Sequence, residues 1–444
     1  MNRLAAAVAL VGLLSSTVAA ETPLDRLLAR THEVAKEVAK VRGLKLKKPI
    51  PNEVVDAAEM RRRLVEMAAE DKTRTQTLAE GLALARWGMI PLATDYEALL
   101  IDLLTEQIAG YYDPRTKKLT IAASAGNDAA WAEMVLAHEI DHGLQDQHFD
   151  LQKFEDLADG DDDALAARRA LVEGDGIALM VEVMLARQGA GAPWSNPEVA
   201  SSIEKAMSVP GNQDKLDQAP LAIREALIFP YRAGLTFVAT LRRRQPWSAI
   251  DAAYKKPPRS TEQVLHPERY LAGDEPTPVT VTTPASLMDH GVAHQTVWGE
   301  LGFDLFLRSH GVDARTAAIA AEGWGGDRAI VLAKGDDRRP QKAVAIARLE
   351  WDTEADAIEA AEAAGKALDR WIAGATVDAT HQRTRWMALD GTVSWIERKG
   401  PSLVLVVGAP AWAAETLAIE VWASSSAGAP SKRAKKPATK AAKR

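Results

Sequence analysis

Apolar residues recur at intervals of three and four positions through most of residues 21–108. This spacing places them on one face of a helix, so it predicts a mainly helical N-terminal part. The predicted helices are Leu24–Val41, Val54–Ala69, Thr73–Trp87 and Tyr96–Ile108, with a short extended piece at Leu44–Pro51. The period changes in residues 109–121, where Asp113-Pro114 favours a turn and the following Leu-Thr-Ile favours a return strand. We therefore predict a β-hairpin there.

Two longer helices are predicted after the hairpin. Residues 131–137 are mostly helix formers without Gly or Pro, and they follow Asn127-Asp128, which are good N-cap residues. The second helix runs from about Asp163 to Gln188, behind an acidic segment at residues 155–163. The spacing of that segment does not fit an EF-hand loop, so a solvated loop that ends in an N-cap is favoured over a calcium site.

Shorter helices and strand-like apolar stretches alternate after Pro276. The predicted strands are Ala329–Leu332, Ala343–Trp351, Thr384–Leu389, Val393–Arg398 and Leu403–Val407, and the predicted helices are Thr296–Ser309, Ala314–Glu322 and Thr353–Ile372. Residues 323–327, Gly-Trp-Gly-Gly-Asp, lack the Lys of a phosphate loop and are interpreted as a tight turn. The predicted fold class is α+β: a mainly helical domain with a small sheet at residues 21–276, then a smaller α+β region at residues 277–423.

Both ends of the chain differ from the rest in composition. A basic start, an apolar run from Leu4 to Leu14 and small residues before Glu21 predict a secretory signal peptide cut after Ala20. Residues 424–444 contain seven basic residues and no acidic one, which predicts a disordered tail. Without these cations and Arg3, the net charge of −7 becomes about −15 for the remainder.

The absence of Cys excludes disulfides and lipidation at Cys, so the fold must rely on its core. No segment after the first reaches the ~18 apolar residues of a membrane helix. We therefore expect a secreted or periplasmic protein without a transmembrane segment, the alternative being a signal segment that stays uncleaved as an anchor. The basic tail could contact an anionic surface or be merely solvated, and we expect no specific nucleic-acid partner.

The segment His138-Glu139-Ile140-Asp141-His142 carries the candidate chemistry. Residues four apart lie one above the other on a helix, about 6 Å apart along its axis, so both imidazoles can bind one metal ion. Glu139 then lies beside the metal, where it can act on a metal-bound water without being a ligand. The alternative is a pair of core histidines.

Glu173 is the candidate third ligand. It interrupts the apolar face of the helix predicted for Asp163–Gln188, and a buried carboxylate is costly unless it is paired or bound to metal. Three protein ligands leave the fourth zinc position for water, so Zn²⁺ is the predicted cofactor. The alternative is an internal salt bridge from Glu173 to Arg168 or Arg169. Asp175 is a candidate hydrogen-bond partner for a ligand imidazole.

An HExxH motif followed by a Glu on a later helix resembles the gluzincin group of zincin metallopeptidases, of which thermolysin is a familiar member. The resemblance implies a zincin-like fold for the helical domain and a zinc ion held by His138, His142 and Glu173. In gluzincins the Glu-containing helix usually carries an Asp one turn after the ligand, whereas here Asp175 follows after two residues.

A longer string, from His138 to Leu151 together with residues 170–175, also resembles a set of secreted bacterial HExxH proteins. That similarity extends from about Val41 to Trp351. In zincins an edge strand before the active-site helix pairs with the extended substrate, and the hairpin at residues 109–121 has the matching position. By this analogy a peptide could add to the hairpin edge, the alternative being a purely structural hairpin.

Peptide hydrolysis also benefits from a donor that stabilises the tetrahedral oxyanion, usually His or Tyr. Tyr231 and His266 are the candidates, followed by Tyr112, and each could instead be structural. The expected function is that of a zinc-dependent metallopeptidase acting on a peptide or protein substrate, with Glu139 as the base that takes the proton of water. The alternatives are a non-catalytic envelope scaffold with a zincin fold and a zinc amidase that acts on cell-wall peptide.

Overall fold

The computed structural model describes residues 23–428 except 70, 108, 157–159, 208–213, 244, 373 and 381. The predicted signal peptide and residues 429–444 of the predicted tail lie outside the described residues. The helices are α1 (Pro23–Ala29), α2 (Thr31–Arg42), α3 (Ala57–Ala68), α4 (Asp71–Arg86), α5 (Tyr96–Gln107), α6 (Ala129–Phe149), α7 (Leu151–Asp156), α8 (Asp162–Arg187), α9 (Pro197–Met207), α10 (Asp214–Gln218), α11 (Leu221–Arg242), α12 (Ser248–Lys255), α13 (Thr261–Leu265), α14 (Pro267–Ala272), α15 (Gly299–Ser309), α16 (Ala314–Ala321), α17 (Glu354–Trp371) and α18 (Ala414–Ala423).

The strands form three sheets. They are β1 (Asn52–Val55), β2 (Gly110–Asp113), β3 (Lys118–Ala122), β4 (Val279–Val281), β5 (His290–Thr296), β6 (Trp324–Lys334), β7 (Val344–Trp351), β8 (Gly374–Ala379), β9 (Arg383–Ala388), β10 (Thr392–Lys399), β11 (Ser402–Pro410) and β12 (Ser425–Ala427). The architecture is thus mixed α and β, in agreement with the predicted α+β class.

The N-terminal part builds a helical core beside a small sheet of order β1-β3-β2. The predicted hairpin is present as the antiparallel pair β2–β3, and β1 joins it in parallel, with Val54 opposite Ile121. Buried side chains of α2, α6, α8 and α11 form the largest apolar cluster of the described residues. The helices α6 and α8, which carry the HExxH motif and Glu173, therefore lie inside the core.

The C-terminal part is built on an antiparallel sheet of order β5-β6-β7-β11-β10-β9-β8. One face of this sheet packs against α15, α16 and α17, and the other packs against α18. Leu82 and Trp87, from α4 and the residue after it, join the first of these clusters together with Phe303 and Phe306. Elements on both sides of residue 276 therefore share one apolar core.

Several predicted boundaries differ from the observed ones. The helix expected from Val54 begins at Ala57, with Asp56 as its N-cap, because Val54 and Val55 pair with β3. The extended piece expected at residues 44–51 is instead a strand at residues 52–55. The helix expected at residues 24–41 is divided at Arg30 into α1 and α2.

The prediction of a tight turn at residues 323–327 was wrong for all but the first of these residues. Residues from Trp324 onward belong to β6, and the register shifts between Trp324 and Gly326 at a bulge. A Cβ at position 326 would overlap the backbone carbonyl of Thr277, so the strand requires glycine at this close approach.

The predicted start of the disordered tail, residue 424, is too early in the sequence. Residues 425–427 form β12, which pairs antiparallel with β4 so that Ser425 lies opposite Val281. This pairing ties the end of the described chain to the segment that follows residue 276. Of the helices within the described ranges, none has both the length and the apolar character needed to cross a membrane.

Candidate metal centre

Helix α6 presents the two histidines of the motif on one side, one turn apart. It begins after Asp128, whose carboxylate accepts hydrogen bonds from the amides of Ala130 and Trp131, as the N-cap prediction required. His142 is buried, whereas Trp131, predicted to lie on the same stripe, is 48% exposed. The apolar face therefore starts one turn later than the pattern suggested.

The side chains of His138, His142 and Glu173 meet at one point. The Nε2 atoms of the two imidazoles are 3.0 Å apart, and Oε2 of Glu173 lies 3.1 Å from Nε2 of His138 and 3.5 Å from Nε2 of His142. Metal–ligand bonds of about 2.0–2.1 Å at tetrahedral angles separate neighbouring ligand atoms by about 3.3 Å, which these distances bracket. Among the described residues, this is the group of His and carboxylate side chains whose donor atoms could hold a metal ion.

Close packing between α8 and α11 fixes the position of Glu173. A Cβ at Gly174 would overlap the backbone of Gly234, and a Cβ at Gly234 would overlap the carbonyl of Ala170. The two helices can approach this closely because both positions are glycine. Two residues further along α8, a Cβ at Gly176 would lie 2.7 Å from the ring of His138, so this imidazole packs directly on the α8 backbone.

The alternative salt bridges of Glu173 are not formed. Arg168 donates to the carbonyl of Phe154 and lies over its ring. Arg169 pairs with Glu155 at 3.3 Å. The carboxylate of Glu173 is thus directed at the imidazoles rather than at the arginines on its own helix.

Gln145, rather than Asp175, contacts one of the two imidazoles of the triad. Its Oε1 lies 2.9 Å from Nδ1 of His142, and its Nε2 donates to Oδ2 of Asp141 at 2.7 Å and to the carbonyl of Val172 at 3.1 Å. Because both partners of Nε2 are acceptors, the amide oxygen must face His142. In the neutral imidazole of His142, Nδ1 then carries the proton, and the lone pair of Nε2 is available to a metal ion.

The prediction for Asp175 was wrong. Its carboxylate accepts two hydrogen bonds from Arg42, at 2.9 and 3.0 Å, and both side chains are fully buried. Arg42 also pairs with Asp251 at 2.8 Å. Arg42 lies more than a hundred residues before Asp175 in the sequence, so no local signal in α8 indicated this pairing.

Glu139 lies beside the triad without belonging to it. Its residue is buried, its carboxylate accepts a hydrogen bond from the backbone amide of Tyr112, and its Oε2 has no partner among the described residues. Burial raises the pKa of Glu139, against the opposing effect of His142 and His138. This buried oxygen lies next to three potential metal ligands and has no partner, so a reacting water could form a hydrogen bond with it.

Charge attraction dominates inside the triad. Burial would raise the pKa of Glu173, but His142 and His138 lower it well below its usual value. Burial likewise opposes the charged form of His142, yet Glu173 raises the pKa of His142 to about 10. The pocket therefore favours an anionic Glu173 next to cationic charge, which is the environment that a metal cation would supply.

The three oxyanion candidates have different positions. Tyr231, on α11 three residues before Gly234, interacts through its hydroxyl with Glu173. The charge of Glu173, burial and the charge of Glu139 raise the pKa of Tyr231 well above its usual value, so it keeps its proton. The residue is 46% exposed, as expected for a side chain at the mouth of the site.

The other two candidates are engaged elsewhere. The hydroxyl of Tyr112 donates to Asp146 at 2.8 Å, so it is the backbone of Tyr112, not its side chain, that meets Glu139. Nε2 of His266 lies 2.9 Å from Glu300, and its Nδ1 lies 3.9 Å from Glu268. In the described part of the chain, the predicted site role of His266 therefore finds no support in its contacts.

Strand β2 is an edge of the small sheet on the side of Glu139. In an antiparallel pair, alternate residues turn both backbone polar groups towards the partner strand. The amide of Ala122 donates to the carbonyl of Ala109, so the register turns the backbone groups of Gly110 and Tyr112 away from β3. One of these outward groups, the amide of Tyr112, is bonded to Glu139.

Two aspartates of the acidic segment at residues 155–163 form hydrogen bonds that stabilise the start of α8. Asp161 caps the helix by accepting from the amide of Ala164 at 2.9 Å. Asp163 accepts from the amide and the hydroxyl of Thr261, which ties α13 to α8. Asp159 lies outside the described residues. The N-cap expectation is thus confirmed at Asp161.

Comparison with known proteins matches the C-terminal part of the chain. Residues 287–418 match the family described as a domain of unknown function (DUF8575). No curated protein and no solved structure matches the chain. The matched residues belong to the region of the large antiparallel sheet, and the triad on α6 and α8 lies outside them.

Proposed function

We propose that this chain is a zinc-dependent peptidase of the gluzincin type that acts in a secreted or periplasmic location. The observation that carries the proposal is the convergence of His138, His142 and Glu173 at 3.0–3.5 Å, with an unpartnered oxygen of Glu139 beside them. Two imidazoles and one carboxylate form a recognised donor set of catalytic zinc sites.

The residues fit a zinc ion by chemistry as well as by distance. Zinc bound there would polarise a substrate carbonyl and lower the pKa of a coordinated water towards ~7. Gln145 holds His142 in the tautomer that presents Nε2, and Gly176 leaves room for the ring of His138. The two histidine side chains are therefore oriented by buried neighbours.

Glu139 is the proposed general base. It takes the proton from the attacking water and then delivers it to the leaving amine nitrogen. Burial raises its pKa, which brings the carboxyl closer to the neutral range in which it can both accept and donate a proton. The amide of Tyr112 holds the carboxylate in place during these transfers.

Tyr231 is the proposed donor to the oxyanion. Its raised pKa keeps the phenol protonated, and its hydroxyl reaches the carboxylate of Glu173 at the mouth of the site. A phenol in this position can donate to the carbonyl oxygen of a substrate as negative charge develops there.

The proposed substrate is an extended peptide. The outward backbone groups of Gly110 on the edge strand β2 can form main-chain hydrogen bonds with a peptide that lies along this edge. Because Tyr112 of the same strand bonds Glu139, a peptide held at this edge passes next to the general base.

Glu139→Gln is the direct test. The zinc-loaded variant should bind one equivalent of zinc, as the wild type does, and lose hydrolysis of a quenched casein peptide by about a hundredfold or more. Glu133→Gln is the matched control, because Glu133 lies on the same helix and pairs with Arg187 at its surface. This control should keep full activity.

The proposal of a Glu-assisted peptidase would be refuted if Glu139→Gln cleaved the peptide as fast as the wild type at equal zinc content. If the wild-type protein bound zinc stoichiometrically and yet cleaved neither casein peptides nor cell-wall peptides, the scaffold interpretation would replace the peptidase. Cleavage of cell-wall peptide alone would favour the amidase.

A further inference from the structure

A cavity of about 720 Å³ lies where α4 meets the C-terminal sheet, in a region separate from the zinc triad. Residues after α4, the end of α15, the end of α17 and the strands β10 and β11 contribute to its wall. Ligand sites for small molecules usually occupy about 300–1,000 Å³. The cavity is therefore large enough for a compact organic ligand.

Arg86, the last residue of α4, is the charged group in this wall that lacks a direct partner. The residue is 8% exposed, and its Nε is buried without a hydrogen-bond acceptor. Within the described ranges, no carboxylate forms an ion pair with Arg86 and no acceptor bonds its guanidinium. The guanidinium packs against Gly408, where a Cβ would overlap its nitrogens.

A buried guanidinium without a direct hydrogen-bond or ion-pair partner is unusual. Burial lowers the pKa of Arg86 to about 10, and the charge of Asp390 only partly opposes this effect. Asp390 also lines the cavity, and its Oδ1 accepts from the amide and the hydroxyl of Thr392, at 3.0 and 2.7 Å. Buried arginines are normally paired, because an unpaired charge in the interior opposes folding.

Arg308 provides a contrast within the same wall. Its guanidinium lies 3.2 Å from Asp304 and 3.3 Å from Glu225, so its charge is balanced by the protein. Arg86 therefore remains the unbalanced cation of the cavity. An anionic ligand would supply the counter-charge that the protein does not.

The rest of the lining indicates what such a ligand carries besides its negative charge. Most of the wall is apolar, with Met89, Ile90, Trp371 and Val407 among the lining residues. Leu389, at 87% exposure, is an apolar residue at the solvent side of the lining. A wall of this kind suits a ligand with an apolar body rather than a small hydrated ion.

We propose that this cavity binds a small monocarboxylate with an apolar body and that Arg86 anchors the carboxylate. A guanidinium binds a carboxylate through two parallel hydrogen bonds, which matches the unpartnered state of Arg86. The buried hydroxyl of Ser309, which also lines the cavity and has no partner among the described residues, offers one more polar contact. A medium-chain fatty acid and the C-terminal end of an apolar peptide share this chemistry.

Calorimetric titration of the purified full chain with four probes tests the proposal. Octanoate is compared with octan-1-ol, and N-acetyl-dileucine with its C-terminal amide, so that each acid has a neutral partner of the same apolar body. We expect at least one acid to bind about tenfold or more tightly than its neutral partner, and the better acid identifies the source. Inorganic phosphate is titrated as an anion without an apolar body and should bind more weakly than that acid.

Substitution at Arg86 then identifies the anchor. Arg86→Met should weaken binding of the acid by roughly tenfold to a hundredfold, and Arg86→Lys should retain part of the affinity. Since Met removes a buried unpaired charge, the ligand-free variant should melt no lower than the wild type. Arg398→Met is the matched control, because Arg398 pairs with Glu354 in the same part of the fold and does not line the cavity.

The proposal is overturned if neither acid binds at millimolar concentration, if the neutral partners bind as tightly as the acids, or if phosphate binds as tightly as the better acid. It is also overturned if Arg86→Met binds the acid with wild-type affinity. Should Arg86→Met fail to fold, the comparison of acids with neutral partners and the partial affinity of Arg86→Lys still decide the question.

Discussion

Replacement of Gln145 by Met should weaken zinc binding without removing any ligand. Gln145 is fully buried, and Met has a similar length but can neither accept from Nδ1 of His142 nor donate to Asp141. The imidazole would lose the contact that fixes its tautomer and its ring orientation. Removal of such an outer partner typically costs 10–100-fold in metal affinity, or about 1.4–2.7 kcal/mol.

The same change also lowers stability in the absence of metal. Three buried hydrogen bonds are lost, to His142, Asp141 and the carbonyl of Val172. At about 1 kcal/mol each, their loss costs about 3 kcal/mol in the free energy of unfolding. Asp141 is affected most, since its Oδ1 already lacks a partner among the described residues.

The assay is competition of each protein with a chromogenic zinc chelator, together with urea denaturation of the metal-free proteins. Gln147→Met is the matched control, because Gln147 lies two residues further along α6 and bonds the backbone of Lys47 and Lys48 at the surface. It should bind zinc as the wild type does. If Gln145→Met held zinc within threefold of the wild-type affinity, Gln145 could not be the residue that orients the ligand.

Three further outcomes are expected. Tyr231→Phe should lower kcat for a casein peptide by about 10²–10³-fold with KM and zinc content nearly unchanged, and an unchanged kcat would exclude Tyr231 as the oxyanion donor. Burial lowers the pKa of His310 to about 4, while its Nε2 lies 2.9 Å from the carbonyl of Trp87. The neutral form therefore stabilises the fold above pH 6.5, and this contribution declines as pH falls towards 4, so the wild type should lose about 2 kcal/mol more than His310→Gln between pH 7.5 and 5. Equal losses in urea denaturation would contradict the assignment. Mass spectrometry of the exported protein should give an N-terminus at Glu21, and a retained first segment would instead indicate an anchor.

The elements that the sequence predicted well are those with strong local signals. Helix α6 has an N-cap at Asp128, α8 has one at Asp161, and the hairpin has a turn at Asp113-Pro114, so each could be identified from adjacent residues. The strand β12 could not, because a three-residue strand in a Ser-rich segment is stabilised by its pairing with β4 rather than by its own composition.

The same distinction applies to the candidate site. The position of Glu173 on the apolar face of α8 was visible as an interruption of a helical pattern. Its meeting with His138 depends on the packing of α6 against α8, which no local pattern contains. Gln145 follows His142 by three residues on a helix, so helical geometry alone could have identified it as a neighbour. His266 shows the opposite case, since a dense polar segment gives no information on which part of the fold it faces.

Asp141, which lies between the two histidines of the motif, interacts through its charge with the buried pair of Arg42 and Asp175. Asp141 is fully buried, and burial followed by the charge of Asp175 raises the pKa of Asp141, while Arg42 opposes the shift. Arg42 forms its direct bonds with Asp175 and Asp251.

Asp141 accepts a hydrogen bond from the amide of Gln145, whose oxygen in turn contacts the imidazole of His142. Arg42 is the last residue of α2, so the charges that surround Asp141 include a cation from a helix near the start of the chain. The surroundings of the triad are therefore built from α2 as well as from α6 and α8, which carry the motif and Glu173.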